Sequence, residues 1–177
     1  RVIDLPATRG MITDRNREPL AISTPVESVW ASPADVEITP EKMKRLAQLL
    51  EIDQAELAKK LADTKREFVY IKRHLPPEEA AKVLALDVPG ISLQREYRRY
   101  YPGGEFFAHL VGFTDVDDKG QEGLELALQD ELAGKPGSRR VIRDRRGRIV
   151  EDVESIRTPQ HGRDIALSRS EERRVGK

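Results

Sequence analysis

Apolar residues recur at helical spacing in several stretches of the chain and alternate in others. After Thr39-Pro40-Glu41, the residues Met43, Leu46, Leu49 and Leu50 line one side of a helix. Thr39 fits its N-cap, and Pro40 fits the first turn, where a missing N–H is not needed. Asp53 opens a second helix, with Glu56 three residues on as a capping-box partner and Leu57 and Leu61 as its stripe. Pro76-Pro77-Glu78-Glu79 starts a third, which ends before Pro89-Gly90. Phe106–Val111 predicts a short helix stopped by Gly112. Leu124, Leu128 and Leu132 mark one more, closed by Gly134 and Pro136.

Strand patterns fill the remainder. They cover Thr24–Trp30, Glu67–Arg73 and Ile91–Tyr101, the last with Ile91, Leu93, Arg95, Tyr97 and Arg99 on one face. Beyond Gly137, Arg139–Arg143 and Arg148–Val153 flank Asp144-Arg145-Arg146-Gly147, whose Asp and Gly suit a hairpin turn. Arg163–Ser168 is a final short strand. The opening stretch, Arg1–Pro33, is cut into short apolar pieces by Pro6, Gly10, Pro19, Pro25 and Pro33. Strands at both ends with helices between them predict an α+β fold with an inserted helical lobe.

Composition narrows the function. The 177 residues carry 31 Lys+Arg against 31 Asp+Glu, with 38% hydrophobic, 35% charged and 5% aromatic residues. That is a thin core under much solvated surface, sized for one domain or one domain of two lobes. The absence of cysteine excludes thiol catalysis, Cys-ligated zinc, iron–sulfur clusters and disulfides. No apolar run approaches the roughly 18 residues of a spanning helix, and Arg1 opens without a signal-like segment. The expectation is a soluble piece of a longer chain.

Tests for site chemistry fail one by one. Asp115, Asp117 and Gly120 fall at positions one, three and six of a calcium loop. Position five is then Lys119 and position twelve Leu126, where oxygen ligands belong. Gly134-Lys135-Pro136 and Gly103-Gly104 are incomplete phosphate and dinucleotide motifs. His74, His109 and His161 lie far apart, and His109 reads as a packing or capping residue. The carboxylates are interleaved with Lys and Arg in the manner of a solvated face. No cofactor and no metal is expected. The one concentrated charge is Arg139–Arg148, with six Arg against one Asp. A basic hairpin bound to nucleic acid is one reading of it. Pairing with Glu151, Asp152 and Glu154 is the other, favoured by overall neutrality and the lack of aromatics in the run.

Four ordered segments carry a resemblance. RRYYPGGEFFAHLVGF (Arg98–Phe113) is similar to a signature of the non-catalytic N-terminal region of class B penicillin-binding proteins. RGMITDRNREPLA (Arg9–Ala21), GQEGLE (Gly120–Glu125) and RDRRGRIVED (Arg143–Asp152) resemble its first, third and fourth motifs, and the wording is closest to the septal, FtsI-type branch. The resemblance implies an elongated α+β pedestal over residues 1–168, with a base of about 1–33 and 101–168 and a head of about 34–100. It implies structural roles for Arg9, Gly10, Asp14 and Arg15, for Arg99, Tyr101, Pro102, Gly103, His109 and Gly112, and for Glu122, Gly123, Asp144, Arg145 and Gly147. It implies a periplasmic location, one upstream membrane helix, a fused transpeptidase domain, and contact with an FtsW-type glycan polymerase and other division proteins, with no nucleic acid. Arg9–Ile12 is then expected near the hairpin at Arg143–Val150, with Asp14 and Arg15 opposite Asp144 and Arg145.

The same resemblance accounts for the missing chemistry. The family's catalytic domain needs Ser-x-x-Lys, Ser-x-Asn and Lys-Thr-Gly. Ser23 has Val26 three residues on, Ser138 has Val141, Asn16 is the sole asparagine, and no Lys-Thr-Gly occurs. Two departures stand out. Arg17 occupies a position that is usually Gly in the family, and a left-handed conformation there would be strained. Residues Arg169–Lys177 do not continue as the family does and are expected to be a foreign, disordered tail.

Overall fold

A computed structural model describes residues 2–103, 107–143 and 149–168. In chain order they form β1 (Val2–Leu5), β2 (Ile12–Thr13), β3 (Pro19–Ala31), α1 (Pro40–Leu50), α2 (Gln54–Ala62), β4 (Val69–Leu75), α3 (Pro77–Ala85) and β5 (Ile91–Tyr100). Then follow α4 (Ala108–Val111), α5 (Gly123–Ala127), α6 (Gln129–Leu132), β6 (Gly137–Arg143), β7 (Ile149–Arg157) and β8 (Ile165–Ala166). The α+β class is as expected. One open sheet runs β4-β3-β2-β8, with β5 also on β3, and a second runs β1-β6-β7. The described residues divide into two compact units, one built on Pro25–Glu96 and the other on Ile3–Thr24 with the described part of 97–139.

In the first unit, the helices start where their caps dictate. The Thr39 hydroxyl accepts the Lys42 N–H at 3.2 Å and Asp53 accepts the Ala55 N–H at 3.1 Å. The apolar stripes then meet β3 and β4 in a core of Val29, Leu46, Leu50, Leu57, Ile71 and Val83, all buried. Each such side chain contributes roughly 1.5–3 kcal/mol. β4 pairs antiparallel with the later part of β3, through Val29↔Lys72, Trp30↔Tyr70 and Ala31↔Val69. The register shifts between Glu27↔Leu75 and Val29↔Lys72, and His74 lies there with φ 60°. Trp30 stacks on Phe68 with 4.6 Å between centroids, and Arg73 covers the Tyr70 ring at 4.3 Å while pairing with Glu96.

In the second unit, β2 lies antiparallel to the start of β3 (Ile12↔Ala21) and parallel to β8 (Ile12↔Ile165). Ile12, Leu20, Val111, Leu132 and Leu167 form its core. Two elements and one cap are among the departures from the sequence expectations. The strand expected at Thr24–Trp30 begins five residues earlier, at Pro19. The single helix through Leu124, Leu128 and Leu132 is two short pieces, because Leu128 (φ −108°, ψ 24°) leaves helical geometry. Among the described residues, the Glu56 carboxylate lies 3.9 Å from Lys60, one turn on, instead of closing a capping box on Asp53.

The turn at Asp14–Glu18 shows why the family position matters. The Asp14 carboxylate accepts the N–H groups of Asn16 (2.8 Å) and Glu18 (2.9 Å), and Arg17 sits at φ 65°. A Cβ in that region costs roughly 1–2 kcal/mol, of which the floppier unfolded chain of a Gly variant takes back part. Arg17→Gly should therefore stabilise the chain by about 0.5–1 kcal/mol, read as a rise of about 2–4 °C in Tm. An unchanged or lower Tm would show that the Arg17 side chain compensates the strain.

Candidate functional site, a buried arginine–glutamate cluster

Within the second unit, three of the four motif segments converge on one carboxylate. α5 begins at Gly123 and points Glu125 inward, fully buried. Its Oε1 accepts from Arg9 Nε at 3.1 Å and Arg99 Nη2 at 3.2 Å. Its Oε2 accepts from Arg99 Nε at 2.9 Å and the Tyr101 hydroxyl at 2.8 Å. Arg9 also donates to the Glu125 backbone oxygen (2.6 Å), the Asp118 carbonyl (3.2 Å) and Gln129 Oε1 (2.7 Å), which in turn accepts the Gly120 N–H at 2.8 Å. Arg99 reaches Ser23 Oγ at 2.9 Å and the Gly10 carbonyl. The first motif thus supplies Arg9 and Gly10, the second Arg99 and Tyr101, and the third Glu125.

Electrostatics make the arrangement a clamp. Burial alone would raise the Glu125 carboxyl, but the hydrogen bonds and charge of Arg99, with Tyr101 and Arg9, outweigh it and hold it below the usual carboxylate range. The Tyr101 phenol is pushed upward, by burial first and then by the Glu125 charge, so it remains a donor. Each carboxylate oxygen already accepts two hydrogen bonds and neither meets solvent. A saturated, inaccessible carboxylate cannot exchange protons with a substrate. Among the described residues, no group of three His, Cys, Asp or Glu could hold a metal ion. Asp115 spends its carboxylate on the N–H groups of Asp117 and Lys119 in its own turn.

Asp118 is the one discordant group beside the cluster. Its Oδ1 is buried without a hydrogen bond, and burial raises the carboxyl to about 6 against the opposing charges of Arg99 and Arg9. A raised folded-state pKa means the folded chain holds the proton more tightly. Ionisation therefore removes stability as pH rises from about 4 to 6, and the loss persists at neutral pH. Glu125 has the opposite sign: its contribution is present at neutral pH and is lost as pH falls below the ordinary Glu range. Asp118→Asn keeps the shape and tolerates φ 62°. It should stabilise the chain by about 1–2 kcal/mol at pH 7, with the advantage vanishing near pH 4. Urea melts at the two pH values would check it; an equal effect at both would show that the charge is not the cause.

The remaining expected residues fall outside the cluster. Arg15 and His109 are exposed, the latter on α4 and not packed in the core; Pro102 is exposed in a turn. Glu122 occupies the N-cap position of α5 without a side-chain capping bond. Gly112 and Gly123 take positive φ, 77° and 58°, and a Cβ on Gly112 would lie 1.9 Å from the Glu122 carbonyl oxygen. Gly103 approaches Leu20 and Phe107. Asp144, Arg145 and Gly147 lie outside the described residues, as do the hairpin turn and the tail Arg169–Lys177. Sequence reasoning missed Glu125. No signal within its own element singles it out, because its partners Arg9 and Arg99 stand 116 and 26 residues away.

Comparison with known proteins agrees with the motif segments. Residues 4–167 match the family described as the penicillin-binding protein dimerisation domain. The chain is 46% identical over 168 residues to a probable peptidoglycan D,D-transpeptidase PenA of Neisseria gonorrhoeae, covering 93% of this chain and 29% of that protein. It is 42% identical over 174 residues to the peptidoglycan D,D-transpeptidase FtsI of Escherichia coli K12, covering 95% and 29%. The chain therefore spans about three-tenths of these relatives. Its fold is also similar to a chain in the complex between penicillin-binding protein PBP2 and MreC from Helicobacter pylori, with TM-score 0.63, 21% identity, and 95% and 36% of the two chains covered.

Proposed function

The chain belongs to the penicillin-binding protein dimerisation-domain family, and on that premise we propose that it is the non-catalytic support of a septal peptidoglycan D,D-transpeptidase. It holds the catalytic domain at its working position and presents surfaces to division partners, among them an FtsW-type glycan polymerase. The setting is the periplasmic side of a bacterial inner membrane, reached through an upstream helix. The observation that carries this reading is the saturated Arg9–Glu125–Arg99–Tyr101 cluster. Arg9, Arg99, Tyr101 and Glu125 are spent on holding three motif segments together. The FtsI and PenA names support the transpeptidase context, and the PBP2–MreC complex supports protein partners for a fold of this kind. The absence of Ser-x-x-Lys, Ser-x-Asn and Lys-Thr-Gly supports a chain without acylation chemistry.

Two measurements test this together. The chain incubated with a penicillin should show no covalent mass increase, whereas a chimera of this chain with the transpeptidase domain of the Escherichia coli relative should be acylated. In cells depleted of their own FtsI, that chimera should restore septation, and the transpeptidase domain without this chain should be acylated yet fail to divide. Normal division without the chain would overturn the reading, as would a stable adduct on the chain itself.

A further inference from the structure

We propose that the open edge of β4 and the cleft beside it take up an extended acidic peptide as an added strand. β4 ends its sheet, with β3 as its strand neighbour among the described residues. At its Val69 end lies a cleft of about 670 Å³ lined by Glu56, Lys59, Lys60, Asp63, Arg66 and Val69. The Lys60 ammonium, from the cleft lining, donates to the Ile71 carbonyl at 3.3 Å, so a backbone acceptor of β4 is occupied by a side chain instead of a strand. An exposed strand edge presents main-chain donors and acceptors at a spacing that an extended peptide matches, and side chains flanking the edge set which peptide is accepted.

Charge selects the partner. Glu56 lies 3.9 Å from Lys60, and the Asp63 carboxylate accepts the Lys65 N–H at 3.3 Å. Lys59 and Arg66 are exposed, and their side chains have no partner among the described residues. The lining thus carries three cations, Lys59, Lys60 and Arg66, against two acids, Glu56 and Asp63. A strand with a carboxylate at every second residue, about 7 Å apart, would meet these cations while its backbone pairs with β4. A basic strand would be repelled by the same residues. The inference rests on the reading that this region works through protein contacts. Its assay uses the chain alone, so failed peptide binding leaves the chimera's division result standing.

The probe is a capped octapeptide of alternating Val and Glu, with a Val and Lys octapeptide as its control, each at about 1 mM, where contacts of a few kcal/mol are populated. Amide hydrogen exchange of the chain should slow over residues 69–75 with the acidic peptide and not with the basic one. The variant carrying Lys59→Glu and Arg66→Glu should bind about tenfold more weakly with unchanged melting, because both side chains are exposed. Lys60→Ala, which frees the Ile71 carbonyl, should keep or strengthen binding. Equal protection by the basic peptide would overturn the proposal, as would no protection on β4. Protection that rises with chain concentration without peptide would also overturn it, by assigning the edge to a second copy.

Discussion

Glu125→Gln should destabilise the chain by about 3–5 kcal/mol, because it leaves two buried guanidiniums without their shared countercharge. Folded domains hold only about 5–15 kcal/mol in total, so the variant should lose a large part of its stability, and its Tm should fall by on the order of 10 °C or more. The amide keeps the side-chain volume. It also places an N–H₂ group against donors from Arg9, Arg99 and Tyr101, where the wild type offers only acceptors. Arg99→Met should be costly for the mirror-image reason, since it strips Glu125 of two hydrogen bonds and the Gly10 carbonyl of one. The double variant should cost much less than the sum of the singles, which would identify a coupled unit. Urea midpoints at unchanged slope would measure all three. A Glu125→Gln variant within 1 kcal/mol of wild type would show that solvent reaches the cluster and screens it.

Gly112→Ala should be as severe, for reasons of space and not charge. The backbone at Gly112 has φ 77° and ψ −150°, a region that side chains rarely enter and that costs about 1–3 kcal/mol. A Cβ there would also stand 1.9 Å from a backbone oxygen, Glu122 O, which cannot swing aside as a side chain can. Strain and overpacking together should remove about 3–5 kcal/mol and unseat α5, which carries Glu125. Gly10→Ala meets the Arg163 carbonyl at 1.8 Å and should loosen the bonds by which residues 8–13 hold the 162–167 segment, such as Ile165 N–H to Met11 O at 2.8 Å. Gly103→Ala is the contrast. Its nearest neighbour is the Leu20 side chain at 3.0 Å, which can shift, so the loss should stay near or below about 1 kcal/mol. Thermal melts of the three variants side by side would decide it; an equal loss in all three would mean that general loop rigidity, not the named clashes, sets the cost.

Stability and function should separate along the same lines. The cluster and the glycines act on folding of the second unit, so their variants should disturb division only as far as they unfold the chain. Lys59 and Arg66 on the first unit are exposed, and changes there should leave melting intact.

Local signals in the sequence determined much of the first unit. Thr39-Pro40 and Asp53 mark helix starts by side-chain chemistry that depends on only a few neighbours, and α1 and α2 begin where those residues stand. The left-handed turn at Arg17 was legible only through the family resemblance, which implies Gly at that position. The ordered motif segments carried the family because they are short and contiguous. Glu125 was not legible. Its meaning depends on Arg9, 116 residues away, and Arg99, 26 residues away, and no pattern within one element distinguishes a carboxylate that two arginines will enclose from one facing water. The early start of β3 depends on pairing with β2, Ile12 against Ala21, which outweighs a local preference of only a few tenths of a kcal/mol per residue. Tertiary structure alone decided which charges of this neutral chain are buried, because the cost of burying a charge is set by its partners and not by its neighbours in sequence.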